Sequence, residues 1–289
     1  KGVYTVLVTD NLGCTTTASK EITEPEEVTV RIESTNITCN NENDGTIKVF
    51  AEGGSKIYTY ALYEVGNSTP ITTSNSQTKL KEGTYQYKVQ DENGCAVTSD
   101  IVHIKNPDPI QINYNVGHVT IHGASNGIID LDITGGTMAP SGYKIQWLDG
   151  PSIVTNPADP AYNADKEIVS NLAAGRYTVA VTDENQCAAM VSIEVEQPEV
   201  IKFDITVNDV RCFGQNTGSI ILSNIQGGIS PYTFTWEGLA DTDERVDGLA
   251  AGEYKLTIQD DAGAKVEKTI EVKQPKAIEV NTIPELSKL

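Results

Sequence analysis

One stretch recurs four times along this chain and limits the folds open to it. It first reads Gly2-Val-Tyr4-Thr-Val-Leu-Val-Thr-Asp10-Asn-Leu-Gly13-Cys14. It returns as Gly83-Thr-Tyr85 through Asp91-Glu-Asn-Gly94-Cys95, and as Gly175-Arg-Tyr177 through Asp183-Glu-Asn-Gln186-Cys187. The last copy runs from Gly252-Glu-Tyr254 to Asp260-Asp-Ala-Gly263-Ala264. Each alternates apolar and polar residues with period two, the pattern of a strand with one face inward. Each then meets a hairpin turn whose Asn and Gly tolerate left-handed backbone.

A proline closes every copy, as Glu24-Pro25, Asn106-Pro107, Gln197-Pro198 and Gln274-Pro275. Proline has no N–H to donate, so strand pairing must stop there. These prolines divide the chain into a C-terminal part of a repeat (1–25), three full repeats (26–107, 108–198, 199–275) and the start of a further one (276–289). Within each full repeat the order is constant. A strand is followed by a polar loop ending in Gly45, Gly127 or Gly218, then by a short strand and a Gly-Gly pair. An aromatic strand comes next, Tyr58-x-Tyr60-x-Leu62, Tyr143-x-Ile145-x-Trp147 or Tyr232-x-Phe234-x-Trp236. A connection of variable length leads to the recurring stretch. Repeat 108–198 carries an insertion in that connection, near 151–164.

About seven short strands per repeat, rich in Thr, Val and Ile, predict an all-β chain of tandem immunoglobulin-like β-sandwich domains arranged head to tail as a rod. Trp147 and Trp236 fall on the third strand, where such sandwiches hold a core Trp. Leu80-x-x-Gly-x-Tyr85, Leu172-x-x-Gly-x-Tyr177 and Leu249-x-x-Gly-x-Tyr254 read as tyrosine corners, and Tyr4 occupies the same place in the partial copy. Three full domains of about 40 Å would span about 120 Å.

The chain carries 40 acidic against 21 basic residues, a formal charge of -19. That balance argues against nucleic acid, whose phosphates need clustered Lys and Arg. No apolar run approaches the roughly 20 residues of a membrane helix, so no membrane insertion is expected. The first residue is not Met, so the chain is expected to be a fragment or a processed form, with any export signal outside it.

Taken as a set, the Gly-Gly pair, Pro231-Tyr-x-Phe-x-Trp236, Leu172-Ala-Ala-Gly-x-Tyr177 and Val181-Thr-Asp-x-Asn-x-Cys187 resemble the SprB repeat. That family occurs in very large surface proteins of gliding Bacteroidetes. The resemblance implies a cell-surface gliding-motility adhesin exported by type IX secretion, with the secretion and motility machinery as partners. It supplies no catalytic residues. Leu62 departs from the pattern where Trp is usual, as do Ile121 and Ala264 where Cys is usual.

Other chemistry is weaker. Gly123-Ala-Ser125-Asn-Gly127 fits a nucleophile pattern, but an elbow needs a strand–turn–helix setting, and the sister loops lack the serine. His118 and His122 could share a face, yet zinc needs three or four ligands. Glu24, Glu26, Glu27, Asp108, Glu196 and Glu199 cluster at the boundaries without the spacing of a calcium loop. Asn36-Ile-Thr38 and Asn67-Ser-Thr69 match glycosylation sequons, a three-residue pattern of little weight. The aromatic strand could present rings to a sugar, but alternation assigns those rings to the core. No enzyme, cofactor or metal is expected.

The cysteines hold two kinds of position. Cys39, Ile121 and Cys212 lie in the first loop of a repeat; Cys14, Cys95, Cys187 and Ala264 lie in the last hairpin. Those places sit at opposite ends of an immunoglobulin sandwich, beyond the roughly 7 Å a disulfide tolerates between Cα atoms. Pairing each first loop with the hairpin of the following repeat matches Cys39 with Cys187, and Ile121 with Ala264. A Cys39–Cys187 disulfide is therefore predicted, with an oxidising, extracellular location. The rival pairing, Cys14 with Cys39 and Cys187 with Cys212, would fold neighbouring repeats back on each other. The whole reads as a repeat segment of a long surface adhesin that attaches to an extracellular surface or polysaccharide. Two other readings are an accessory stalk or carbohydrate-binding module of a secreted enzyme, and a pure spacer.

Overall fold

The computed structural model describes residues 1–151, 153–154 and 164–280. All its regular structure is β. A two-stranded hairpin, β1 (Gly2–Thr9) and β2 (Thr15–Ile22), comes first. It is exposed along its whole length.

Repeat 26–107 holds β3 (Thr29–Thr35), β4 (Gly45–Glu52), β5 (Tyr58–Glu64), β6 (Ser76–Leu80), β7 (Gly83–Asp91), β8 (Ala96–Thr98) and β9 (Val102–Ile104). Its strands form two antiparallel sheets, β3-β4-β6 and β5-β7-β8, with β9 continuing the β8 edge. Repeat 108–198 holds β10 (Gln111–Gly117), β11 (Ser125–Thr134), β12 (Lys144–Asp149), β13 (Ile168–Ala173), β14 (Gly175–Thr182) and β15 (Ala188–Val195). Repeat 199–275 holds β16 (Lys202–Asn208), β17 (Gly218–Gln226), β18 (Thr233–Trp236), β19 (Arg245–Leu249), β20 (Gly252–Gln259) and β21 (Lys265–Val272). The sheet orders are the same, β10-β11-β13 with β12-β14-β15, and β16-β17-β19 with β18-β20-β21. These are tandem immunoglobulin-like sandwiches.

Among the described residues each sandwich shows six strand paths, against the seven expected. In repeats 26–107 and 199–275 the chain passes from the aromatic strand to the opposite sheet with no further strand between, the Leu62–Thr72 bridge aside; in repeat 108–198 part of this connection lies outside the described residues. In repeat 26–107 the last path is broken in two. Thr98 pairs with Lys88 and Val102 with Tyr85, so one more residue lies on the outer side than on β7. Ser99 fills this bulge, its buried Oγ accepting the Tyr87 N–H at 3.0 Å.

The recurring strands supply the inner face. Tyr85, Tyr87 and Val89 on β7, and Tyr177, Val179 and Val181 on β14, are buried at alternate positions, as period two requires. Leu256 and Ile258 do the same on β20. The third strand contributes Leu62, Trp147 and Trp236, each at most 2 % exposed. The rings of the aromatic strand face inward or are half-buried. Trp147 meets Tyr177 edge to face, the arrangement that ring quadrupoles favour.

By compactness the chain divides into two units. The first comprises residues 1–111, 134–143 and 182–188; the second comprises the remainder. The first thus contains the Gly-Gly loop and hairpin tip of repeat 108–198 as well as repeat 26–107. The second contains the other strands of repeat 108–198 and all of repeat 199–275. Most of the insertion near 151–164 lies outside the described residues. At its end Ala164 is buried and its carbonyl accepts the Trp147 N–H. Residues 276–280 form no strand, and the remainder of segment 276–289 lies outside the described residues.

Candidate functional site

The polar chemistry of this chain gathers at the ends of the sandwiches. At one end stands the recurring hairpin. Its Gly13, Gly94, Gln186 or Gly263 has positive φ, while the preceding Asn93 and Asn185 do not. Only the fourth turn position therefore needs left-handed backbone. The Asp that opens the turn does more than start it. Asp183 is buried, and its Oδ1 accepts the N–H groups of Asn185 and Cys187, both at 2.9 Å. Its Oδ2 accepts the Thr137 N–H at 2.8 Å, tying the hairpin to the Gly-Gly loop. Asp91 does the same with Cys95 and Ser55, and Asp260 with Ala264 and Ile229. Burial alone would push the Asp91 carboxyl up, but the N–H groups of Cys95, Ser55 and Asn93 together hold it below the usual carboxylate value.

The Gly-Gly pair is explained by what it meets. A Cβ on Gly53, Gly135 or Gly227 would lie 2.0 Å from the carbonyl oxygen of Glu27, Pro109 or Val200. A Cβ on Gly54, Gly136 or Gly228 would press on the carboxylate of the hairpin Asp. The first aromatic of the third strand locks the same loop. Tyr58, Tyr143 and Tyr232 donate their hydroxyls to the carbonyls of Gly53, Gly135 and Gly227.

At the opposite end lies the first loop. Asp44, Asn126 and Thr217 close it by accepting the N–H of Thr38, Thr120 and Arg211. Asn36, His118 and Asp209 accept the N–H of Lys105, Glu196 and Lys273 at the end of the last strand. The residue before the boundary proline then reaches back: Asn106, Gln197 and Gln274 accept the N–H of Asn41, Gly123 and Gly214. His118 and His122 are thus both engaged with backbone, His122 through a 2.9 Å contact to the Pro198 carbonyl. Ser125 opens β11 and belongs to no elbow. Among the described residues no group of three His, Cys, Asp or Glu is placed to hold a metal ion.

Within repeat 26–107, Cys39 and Cys95 occupy these two opposite ends. The nine residues of β7 separate them, about 26 Å from first to last at about 3.3 Å per step, so they cannot bond. Cys39 is instead joined to Cys187, the hairpin cysteine of the following repeat, with Cα atoms 5.5 Å apart. Asn185 Nδ2 donates to the Thr38 carbonyl at 3.1 Å beside the bridge. Cys14, Cys95 and Cys212 are exposed free thiols. At the next joint Ile121 and Ala264 take the two cysteine positions. They line one shallow pocket together with His122, Glu199, Asp260 and Val266. The turns around them keep the same hydrogen bonds as at the bridged joint, Ala124 N–H to Ile121 O and Asp260 N–H to Ala264 O.

The tyrosine corners share one geometry. Tyr85, Tyr177 and Tyr254 each donate to the carbonyl four residues upstream, of Lys81, Ala173 and Ala250. Tyr4 departs from this. It is 58 % exposed, and its acceptor position would precede Lys1.

Residues 31–67 and 205–241 match the profile of the SprB repeat family. These segments cover the first three strands of repeats 26–107 and 199–275. Two segments of the chain are thus similar to the SprB repeat. No curated protein sequence matches it. Among solved structures, three titin domains, I67–I69, superpose with a TM-score of 0.44 at 13 % identity, covering 87 % of this chain and 99 % of that one. Sidekick-1 immunoglobulin domains 1–5 give 0.42 at 11 %, covering 94 % and 66 %. Three N-terminal domains of the outer capsid protein Hoc of bacteriophage RB49 give 0.40 at 13 %, covering 87 % and 100 %. The fold is set by the strand order and pairing of the three repeats themselves. Among the described residues no helix is long and apolar enough to cross a membrane.

Proposed function

We propose that this chain is a segment of an extracellular surface adhesin whose tandem SprB repeats attach the cell to a polysaccharide or another external surface during gliding motility. The observation that carries this reading is the covalent joining of two successive repeats by Cys39–Cys187, the first of which holds a segment similar to the SprB repeat. A disulfide is kept where the surroundings are oxidising, which fits a place outside the cell. Binding spread over many repeats multiplies weak contacts by avidity, so no single deep site is required. Type IX secretion and the motility machinery are the partners this reading requires, and no cofactor enters it.

The test is retention of the intact, oxidised chain on immobilised polysaccharides, on agar and on bare glass. Retention that grows with the number of linked repeats supports attachment. Retention on one glycan alone, at full strength in a single repeat, indicates a carbohydrate-binding module of a secreted enzyme. A folded chain that passes every matrix is a spacer, and the inward-facing rings of the aromatic strands favour that second reading over a sugar platform.

A further inference from the structure

We infer that the Cys39–Cys187 bridge takes residues 40–186 out of the load path of the chain, leaving repeat 199–275 as the sandwich that yields when the ends are pulled. Covalent connectivity sets this path whatever the chain binds. Tension follows the shortest covalent route. From the N-terminal side it runs along β3 to Cys39, crosses the disulfide to Cys187, and leaves along β15 toward Pro198. The intervening segment, a sequence separation of 148, hangs on this route as a closed loop. Unfolding it releases no length, because its two ends stay bonded. The strands on the route, β3 and β15, are already extended and have little length left to give.

The next joint has no such shortcut. Ile121 and Ala264 stand where the cysteines would be, and Cys212 is a free thiol. Tension therefore passes through the backbone of repeat 199–275. It enters on β16 and leaves on β21, which lie in different sheets. Each is held by a long antiparallel ladder, β16 to β17 and β20 to β21. Pulling along such ladders loads their hydrogen bonds together rather than one at a time. Repeat 199–275 thus resists and then opens as a unit. The exposed N-terminal hairpin β1–β2 unzips first at low force.

Single-molecule pulling of the full chain from its two termini tests this. For the oxidised protein we expect, after the hairpin, one further release of up to about 280 Å, the extended length of residues 199–275 at about 3.6 Å per residue. Adding dithiothreitol, or substituting Cys39→Ser, is expected to add releases totalling up to about 530 Å for the freed 148 residues. Cys212→Ser serves as a control that should leave the oxidised trace unchanged. Release of the full length from the oxidised wild type overturns the inference, as does a Cys39→Ser trace no longer than that of the wild type. Circular dichroism of Cys39→Ser, expected to match the wild type, separates loss of the bridge from loss of the fold.

Discussion

Asp91 shows how much one side chain holds in these sandwiches. Its carboxylate is the acceptor that fastens the last hairpin to the Gly-Gly loop. Because its folded pKa lies below the unfolded value, the stability it contributes is complete above the unfolded value, about 3.9. It is lost as the pH falls through the folded value. Thermal melts of the chain between about pH 2 and 7 should therefore show repeat 26–107 losing stability below about pH 4. Asp91→Asn should be weaker at neutral pH and lack that acid dependence; an unchanged acid limb in this variant would assign it to other carboxylates. Tyr177 offers a second single-atom test. Its ring is fully buried and its hydroxyl donates to the Ala173 carbonyl at 2.8 Å. Tyr177→Phe leaves that carbonyl without this donor and is expected to cost about 1 kcal/mol, read from denaturant titration. No loss would mean that the corner serves packing alone.

Among the elements, the strands were the most legible in the sequence. Residues such as Tyr177, Val179 and Val181 repeat with period two, and burial follows that period directly. The clamps were not legible. Asp183 reads as an ordinary turn residue, and its hold on Thr137 is a contact 46 positions away. Asn36, His118 and Asp209 do one job with three different side chains, because accepting a backbone N–H is all that is asked of them. The two joints were legible through the joint replacement of a cysteine pair by Ile121 and Ala264. That pair gives a direct test. Ile121→Cys with Ala264→Cys should oxidise to a second bridge, detected by non-reducing peptide mapping; two persistent free thiols would show that the loops do not approach as the bridged ones do. The Gly-Gly loop gives another. Gly227→Ala forces a Cβ onto the Val200 carbonyl at positive φ, and at least about 1–2 kcal/mol of backbone strain alone should lower the melting temperature of repeat 199–275. An unchanged melt would mean that β16 shifts without cost.

At the scale of the whole molecule the bridge is the strongest single constraint. On the chain-entropy account, closing a loop of 148 residues contributes up to about 5 kcal/mol. Urea titration with and without dithiothreitol should move the transition of the bridged repeats, while repeat 199–275 keeps its own midpoint. A shift of both together would mean that the repeats do not unfold separately.

The same 148-residue separation also imposes an order in time. Synthesis proceeds from the amino terminus, so Cys39 emerges long before Cys187, and Cys95 is the first thiol to follow it. An oxidant acting on the unfolded chain would close a nearer ring, with Cys14, which has already emerged, or with Cys95. A chain that folds first cannot bond Cys39 to Cys95, because β7 holds those two thiols at opposite ends of the sandwich. Cys39 must then wait, reduced, until the hairpin of the next repeat has formed beside it. The finished bridge is in this sense a clock mark: it can be written correctly only where folding of one repeat outruns oxidation and folding of the next precedes it.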